Sequence, residues 1–400
     1  MTSKTDNGTV GRRTLLAGAA AATVTLVKPG LVRGAKANST ITLGMIGCGG
    51  RGRWISSYFK KHGGYKLVAC ADYFADRAAA FAKSHGIAQA NCHATLSGYK
   101  KLLDGTCDAV AIENPPYFHP PHAAAAVDAG KHVYLAKPIA VDVPGCLTIA
   151  QAGAKATRKK RVFLVDFQTR ANAIYREAAK KVLNGEIGRL TCGQAHYHAG
   201  RLGKQGSPAG PEGRLRNWVF DKALSGDIIV EQNIHALDVA SWLIDANPVK
   251  AFGTGGRKVR VDVGDCWDHF LVTYFFPKDL LLDFSSTQFL KGFGDIHCRM
   301  FGSRGTIDTH YSGTVWIRGG ARLEGNTRGL FGSGVVTNVK DFHTLVTEGN
   351  CANTTVAPSV RSNLTCVLGR EAAYKGDVVT WDAMMKAATV VDGRLEGLKS

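Results

Sequence analysis

The sequence predicts an α/β domain with a doubly wound parallel sheet, followed by an α+β domain built on a mixed β-sheet. Three observations support this fold class. Short apolar runs alternate with helical patterns in the first half of the chain, a glycine-rich turn joins the first run to the first helix, and strand patterns dominate from Leu190 onward. Of the 400 residues, 45% are apolar and 20% charged, which is typical of globular rather than disordered proteins.

The first segment has the pattern of an export signal. Residues 11–16 form a twin-arginine motif, and an apolar run follows over residues 17–27. Ala35-Lys36-Ala37 has the small-x-small pattern of a cleavage site. The run is well below the ~20 apolar residues that cross a bilayer. We therefore predict that residues 1–37 are a removable twin-arginine signal, that the mature chain starts near Asn38, and that it is periplasmic or otherwise exported, with no membrane contact after signal removal.

Charge and cysteine spacing restrict the class of partner. The net charge is +18, but the basic residues are dispersed and form no aromatic-interleaved stripe, so we predict no nucleic-acid partner. The ten cysteines include no Cys-x-x-Cys pair and no Cys/His cluster with zinc spacing, so we predict no metal site. A small molecule is the partner that this sequence favours.

A dinucleotide site is predicted at the first glycine-rich turn. An apolar strand pattern over residues 40–46 runs directly into the residues that form Gly-x-Gly-x-x-Gly, namely Gly47, Gly49, Gly50, Arg51 and Gly52. Such glycines allow a tight turn, close approach of a pyrophosphate to the backbone, and close helix–strand packing. Asp72 ends the next strand, where a carboxylate would accept hydrogen bonds from ribose hydroxyls and repel a 2′-phosphate. The predicted cofactor is NAD, while Arg51 and Arg77 leave NADP possible.

Strand and helix patterns continue to alternate up to residue 168. Further strands are predicted over residues 65–71, 109–113 and 132–135, and helices over residues 74–84, 99–103 and 121–129. This spacing indicates a parallel sheet, which binds ligands at the carboxyl ends of its strands. Asn114, Pro115, His119 and Lys137 would lie along that edge, and we predict that they contact the cofactor.

An ordered set of motifs extends over nearly the whole mature chain. It comprises the glycine fingerprint, Asn114-Pro115-Pro116-x-x-His119, residues 128–133, Lys137-Pro138, Glu231-x-x-x-His235, residues 301–306 and residues 369–374. With these motifs the chain resembles the Gfo/Idh/MocA family, named for glucose-fructose oxidoreductase and inositol dehydrogenase. The resemblance implies a Rossmann domain over residues 38–168 and a substrate-binding and oligomerisation domain over residues 169–400. It also implies an open-faced sheet in the second domain and a homo-oligomer, either a dimer or a tetramer.

The resemblance also implies two catalytic residues. Lys137 would lie near the nicotinamide and the reacting hydroxyl, where its amine can polarise the oxygen or relay a proton. The family usually has Glu-Lys-Pro here, whereas this chain has Ala136. A second signature, commonly Asp-x-x-x-His, reads Glu231-x-x-x-His235. Because residues i and i+4 share a helix face, we expect Glu231 to contact substrate beside His235, which suits acid–base chemistry.

Other polar residues are candidates for the substrate pocket. Gln168 and Arg170 follow the predicted last strand of the Rossmann domain, where pocket contacts and interdomain packing are equally open. His196 and His198 alternate along one strand and so share a face, which permits contacts to sugar hydroxyls, acid–base chemistry, metal binding or a structural role. Trp218 lies beside arginine and asparagine, as in a sugar pocket that stacks on an indole, although a core position remains open.

Three functional hypotheses follow. The first is an NAD(P)-dependent oxidoreductase that moves a hydride between a sugar, sugar derivative or cyclitol and a tightly bound nicotinamide. The second is a redox-neutral glycosidase or lyase of the same family, for which His196, Tyr197 and His198 would be candidate bases. The third is a catalytically idle sugar- or partner-binding relative, which the departures at Ala136 and Glu231 keep open.

Overall fold

The computed structural model describes Met1, Thr2 and residues 40–400. The twin-arginine motif and the cleavage pattern lie outside these residues, so the export signal stays a prediction. Residues 41–400 form one unit that contains two β-sheets. No helix among the described residues is long and apolar enough to cross a membrane.

The first sheet has six parallel strands in the order β3-β2-β1-β4-β5-β6. Its strands are β1 Ile41–Ile46, β2 Tyr65–Asp72, β3 Cys92–Ala94, β4 Ala109–Ile112, β5 His132–Ala136 and β6 Phe163–Asp166. The helices between them are α1 Gly50–His62, α2 Ala75–His85, α3 Gly98–Leu103, α4 His119–Asp128 and α5 Val143–Arg158. This strand order is that of a doubly wound dinucleotide fold, and it confirms the predicted class.

The second sheet has nine strands in the order β14-β13-β12-β11-β7-β10-β9-β8-β15. These are β7 Leu190–Ala199, β8 Lys250–Gly256, β9 His269–Phe275, β10 Leu281–Gln288, β11 Asp295–Gly302, β12 Gly305–His310, β13 Thr314–Gly319, β14 Leu323–Asn326 and β15 Val379–Thr380. The β7–β10 pair is parallel and its neighbours are antiparallel, so the sheet is mixed as predicted.

The remaining helices pack against both sheets. They are α6 Gln168–Ala171, α7 Ala173–Leu183, α8 Gly210–Arg216, α9 Lys222–Ser225, α10 Ile228–Glu231, α11 Ile234–Ile244, α12 Leu330–Glu348, α13 Val356–Lys375 and α14 Trp381–Ala387. Helices α11 and α13 lie against one face of the second sheet. Although α12 lies late in the chain, its Val335, Val339 and Phe342 share an apolar core with Phe59 and Tyr134 of the first domain. The helix therefore packs against the first domain, although it follows β14 of the second sheet in the chain.

One strand is shorter than predicted. The apolar pattern indicated a strand over residues 251–261, whereas β8 ends at Gly256. The carboxylate of Asp268 accepts hydrogen bonds from the backbone N–H groups of Lys258, Val259 and Arg260, at 2.7–2.9 Å. Because these amides bind a side chain instead of a neighbouring strand, the chain turns away from the sheet there.

Candidate functional site

The glycine-rich turn between β1 and α1 has no room for side chains at two positions. Gly47 has φ = +96°, and a Cβ added there would lie 2.6 Å from the backbone nitrogen of Asn114. A Cβ at Gly52 would lie 1.9 Å from the carbonyl oxygen of Gly47. The turn thus brings the N-terminus of α1 against the carboxyl edge of the sheet, where free helix N–H groups can bind phosphate.

Asp72 lies at the end of β2, beside this turn. One carboxylate oxygen accepts a hydrogen bond from the backbone of Cys48 at 2.7 Å, and the other accepts one from Phe74 at 2.9 Å. Burial raises the pKa of Asp72, although these two hydrogen bonds and the charge of Arg77 oppose the shift. The carboxylate is therefore held in a fixed orientation at the mouth of the cleft described next.

A cleft of about 640 Å³ runs from Asp72 to Glu231. Its walls include eight predicted site residues besides Asp72, namely Gly47, Gly49, Gly50, Arg51, Asn114, Pro115, Trp218 and Glu231. The volume lies within the range of cofactor and small-molecule pockets. The glycine turn at one side and the fixed carboxylate at the end of β2 fit a dinucleotide, so these residues would hold the diphosphate and a ribose.

Lys137 lies behind the cleft wall, where it forms an ion pair with Glu231, a residue that lines the cleft. The Lys137 amine donates to the carbonyl oxygen of Glu231 at 2.7 Å, and it lies 3.5 Å from Oε1 of the same residue. Burial lowers the pKa of Lys137, and the charge of Glu231 partly opposes that effect. A lysine whose pKa is lowered more readily gives up or accepts a proton near neutral pH, as proton-transfer chemistry requires.

His235 lies close to this pair. Burial lowers the pKa of His235 well below its usual value, and the charges of Lys137 and Arg51 lower it further, so the ring is neutral near neutral pH. Its Nδ1 is buried and has no hydrogen-bond partner among the described residues. The ring packs edge-on against Tyr311, with 5.0 Å between ring centroids. A neutral imidazole with an unpaired nitrogen can hydrogen-bond a substrate hydroxyl.

Glu231 and His235 do not share one helix, contrary to the sequence prediction. Glu231 is the last residue of α10, and His235 is the second residue of α11. Gln232 and Asn233 form a turn between the two helices, and the backbone N–H of Asn233 donates to the carbonyl oxygen of Ile228. Because the two residues belong to different helices, helical periodicity does not place Glu231 and His235 on one face.

His119 lies behind the cleft wall. Its ring nitrogens are 2.7 Å from the carbonyl oxygens of Asn114 and Pro138, and the residue is buried. Burial lowers its pKa to about 4. The ring therefore ties the turn after β4 to the segment that carries Lys137. This placement corrects the prediction that His119 contacts the cofactor directly.

Gln168 and Arg170 also lie away from the cleft surface. Gln168 is fully buried, with its amide nitrogen 3.3 Å from the Asp166 carboxylate. Arg170 makes a bidentate ion pair with the buried Asp238, at 2.9–3.0 Å. Ser362 of α13 donates to the same carboxylate at 2.7 Å. Of the two roles left open for Arg170, these contacts support packing between elements rather than pocket contacts.

We predict that Arg170→Lys lowers the free energy of unfolding by about 2 kcal/mol, because lysine cannot form the bidentate pair with buried Asp238. Denaturant unfolding measures the change. Arg176→Lys is the matched control, since Arg176 pairs with Asp341 at a half-exposed site and should change the free energy by about 0.5 kcal/mol or less. Equal losses in the two variants would contradict this assignment.

His196 and His198 point away from the catalytic end. Strand β7 buries Ala195 and Tyr197 on the helix-covered face. His196 and His198 alternate with them along the strand and so face the opposite side. There Ser285 Oγ lies 2.5 Å from His196 Nδ1 and 3.0 Å from His198 Nε2. Of the roles left open for these histidines, this placement does not support substrate contact, because strand alternation places Tyr197 on the inner face instead. Among the described residues, no group of three or more candidate ligands could hold a metal ion.

A buried charged cluster beside the glycine turn is not predicted by the sequence motifs. The Arg51 guanidinium contacts the carboxylates of Glu113 and Asp166, and its Nε lies 3.1 Å from the Glu113 oxygen. The Asn338 amide donates to Asp166 at 2.6 Å. Glu113 directly precedes the predicted Asn114 motif, so its position at the end of β4 was the available signal.

Two family models match this chain in succession. The model for an oxidoreductase family with an NAD-binding Rossmann fold matches residues 41–167, and the model for the GFO/IDH/MocA C-terminal domain matches residues 175–308. The chain belongs to the Gfo/Idh/MocA family. Its first domain is accordingly an NAD-binding Rossmann domain of an oxidoreductase.

Relatives within the Gfo/Idh/MocA family include several inositol dehydrogenases. Inositol 2-dehydrogenase 3 of Saccharopolyspora erythraea is 28% identical over 272 residues, which cover 67% of this chain and 72% of the relative. Inositol 2-dehydrogenase of Serratia proteamaculans is 28% identical over 292 residues, covering 71% of this chain and 78% of the relative.

Solved structures share the fold. An oxidoreductase domain protein from Kribbella flavida has a TM-score of 0.72 at 18% identity, and levoglucosan dehydrogenase in complex with NADH and levoglucosan has a TM-score of 0.69 at 18% identity. In both comparisons the match covers 85% of this chain and 99% of the other. At this identity the likeness supports the fold of both Gfo/Idh/MocA domains.

Proposed function

We propose that this protein oxidises a secondary hydroxyl of a cyclitol, sugar or sugar derivative, and reverses that reaction, with NAD as the hydride carrier. The observation that carries the proposal is the contact of Lys137, which lies close to His235, with Glu231 in the wall of the cleft. The glycine turn and Asp72 line the same cleft. The names of the inositol 2-dehydrogenase relatives support the substrate class.

The residues around Lys137 have different roles in the proposed reaction. Bound NAD supplies the acceptor for the hydride. The Lys137 amine takes the hydroxyl proton, which its lowered pKa favours, and the Glu231 carbonyl and carboxylate hold that amine in place. The neutral His235 ring orients the substrate through Nδ1 without adding a second positive charge. Trp218 lines the cleft and offers an indole face to a sugar ring.

The glycosidase alternative loses two of its candidate bases. Its cycle needs an extra base near the sugar, and His196 and His198 face the opposite side of the second sheet. Tyr197 remains on the inner face, but burial raises the pKa of its phenol, which makes it a poor base at neutral pH. The geometry therefore favours net oxidoreduction.

The test uses purified protein with the nucleotide that it retains, challenged with cyclitols, free sugars and glycosides while the absorbance of reduced nicotinamide is recorded. A lasting rise with a cyclitol or free sugar, reversed by a carbonyl acceptor, is the expected result. Release of free sugar from a glycoside without a lasting rise would overturn the proposal in favour of the redox-neutral cycle. If nucleotide-loaded protein showed neither an absorbance change nor release of sugar with any compound, a catalytically inactive sugar-binding protein would be favoured.

We also propose that the open face of the second sheet binds a second copy of the chain. Leu271 and Leu281 lie exposed on that face, at 54% and 42%, although both belong to central strands of a sheet. Exposed leucines at such positions are typical of subunit contacts. We predict that Leu271→Asp lowers the molar mass measured by analytical ultracentrifugation to that of one chain. Val390→Asp, which alters an exposed residue of the C-terminal segment outside both sheets, is the control and should leave the mass unchanged.

We further propose that the protein is exported by the twin-arginine route, which transports folded proteins and so allows cofactor loading beforehand. The motif at residues 11–16 supports this proposal. Cell fractionation of the full chain is the test, and recovery of the uncleaved protein in the cytoplasm would contradict it.

A further inference from the structure

Glu113 occupies a defined place in the register of the first sheet. Ile112 pairs with Leu135 in the β4–β5 ladder, so Glu113, the next residue, lies beside Ala136. Ala136 pairs in turn with Asp166 of β6. The small alanine side chain therefore lies between two carboxyl groups at the carboxyl edge of the sheet. This arrangement leaves room for both groups to reach the same arginine, Arg51.

The two oxygens of the Glu113 carboxyl group have different surroundings. Oε2 accepts from Arg51 Nε at 3.1 Å, whereas Oε1 is buried and has no hydrogen-bond partner among the described residues. The side chain has no exposed surface, yet the residue borders the cleft together with Glu231. A buried, unpaired carboxylate oxygen is costly, and protonation removes much of that cost.

Charge balance points to the same group. Two cations, Arg51 and Lys137, face three carboxyl groups in this cluster, so one carboxyl group lacks a cation of its own. Burial raises the pKa of Glu113 to about 7, and the negative charge of Asp166 adds to the shift, while the charges of Arg51 and Lys137 oppose it. Tyr134 of β5 is also close enough to interact electrostatically. Glu113 therefore exchanges a proton within the working range of pH.

We propose that Glu113 stores the proton that substrate oxidation would otherwise release. The inference rests on the proposed function. In the forward step the C–H bond breaks, and its hydrogen leaves with the electron pair as a hydride, which bound NAD would accept. Lys137 accepts the hydroxyl proton as it passes one of its own protons on to Glu113, so Lys137 ends as it began and a carbonyl forms. Charge balances, because the ring loses its positive charge as the carboxylate loses its negative charge. The reverse step returns the proton.

Electrostatics gives the direction of this coupling. A positively charged oxidised ring bound in the cleft would stabilise ionised Glu113, and a neutral reduced ring would not. The pKa of Glu113 must therefore be higher with the reduced cofactor than with the oxidised one. An enzyme that keeps one cofactor through successive oxidations and reductions thereby keeps the matching proton as well.

The test counts protons during a single reduction of the bound cofactor. Protein in weak buffer at about pH 6.5 is mixed with substrate, and an indicator dye reports protons while absorbance reports reduced nicotinamide. We expect wild-type protein to release about half as many protons per reduced ring as Glu113→Gln, or fewer. Glutamine keeps an acceptor for Arg51 but cannot hold the proton. Equal release by both proteins would overturn the inference.

Two further variants serve as a control and as a test by rescue. Glu371→Gln removes a half-buried carboxyl group whose pKa is likewise raised by burial but which lines a different cavity, and proton release should match wild type. Should Glu113→Gln fail to fold, the double variant Glu113→Ala/Ala136→Glu moves the carboxyl group to the adjacent register position. It should restore proton storage relative to Glu113→Ala alone, and no restoration would count against the proposal.

A binding experiment separates failure of this inference from failure of the proposed function. If no substrate reduces the bound cofactor, the proposed function fails. Calorimetric binding of NADH and of NAD to the nucleotide-free protein, in two buffers with different ionisation enthalpies, still measures proton uptake. The protein should take up more protons when it binds NADH than when it binds NAD. The Glu113→Gln variant should show no such difference. The same uptake for both nucleotides in wild type would overturn the inference.

Discussion

Replacing Lys137 by methionine should lower the rate of substrate oxidation at least about a hundredfold while the protein still binds NAD. Methionine has nearly the same length and no ionisable group, so it preserves packing at the end of β5 but removes the amine that receives the hydroxyl proton. The Glu231 carboxylate then loses its cation, and a bound substrate hydroxyl has no amine beside it to receive its proton. Steady-state kinetics together with NAD titration separate the two effects.

The matched control is Lys131→Met at the other end of the same strand. Lys131 immediately precedes β5, and its amine donates to the carbonyl oxygen of Gly105 at 2.6 Å, far from the carboxyl edge that forms the cleft. This variant should retain wild-type kinetics. A Lys137→Met protein that turns over substrate normally, or one that fails to bind NAD while folding normally, would contradict the role given to the amine.

The N-terminal half of the site could be read from the sequence because local patterns determine it. A glycine turn between a strand and a helix places Gly47 and Gly52 without knowledge of distant residues, and the next strand places Asp72. Lys137 follows the same rule, since it comes directly after a buried parallel strand. The structure positions all four at the carboxyl edge of one sheet.

The remaining features depend on contacts between distant parts of the chain. The alternation along β7 predicts that His196 and His198 share a face, but it does not show which face α11 covers, so their several possible roles stayed open. Likewise, a helical reading of residues 231–235 could not foresee the break at Gln232 and Asn233.

The Arg51 cluster shows a second limit. Glu113 and Asp166 are 53 residues apart, and only the ladder from β4 through β5 to β6 makes them neighbours. Their partner comes from α1, at the other end of the domain sequence. The departure at Ala136, which raised doubt about the lysine when seen alone, is accompanied by carboxyl groups on both adjacent strands. The effect of replacing a motif residue, such as the family's glutamate by Ala136, therefore depends on the side chains of the adjacent strands.

Gly52→Ala should abolish retention of the nucleotide and lower the free energy of unfolding by about 3 kcal/mol. The added methyl group would lie 1.9 Å from the Gly47 carbonyl oxygen and 3.7 Å from the Met45 sulfur. The first of these contacts is with backbone, which cannot rotate out of the way. The turn and α1 must then move apart, which displaces the helix N–H groups from the phosphate position. Thermal or denaturant unfolding and the nucleotide content of the purified protein measure the two effects.

Gly50→Ala provides the comparison for stability within the same turn. Gly50 is the first residue of α1, and a Cβ there would meet no heavy atom within 4 Å. Alanine is a better helix former than glycine, so this variant should be as stable as wild type or up to about 1 kcal/mol more stable. If both variants lost the same stability, the loss would reflect general sensitivity of the turn to any side chain. A loss confined to Gly52→Ala would locate it in the single contact between the third glycine and the first.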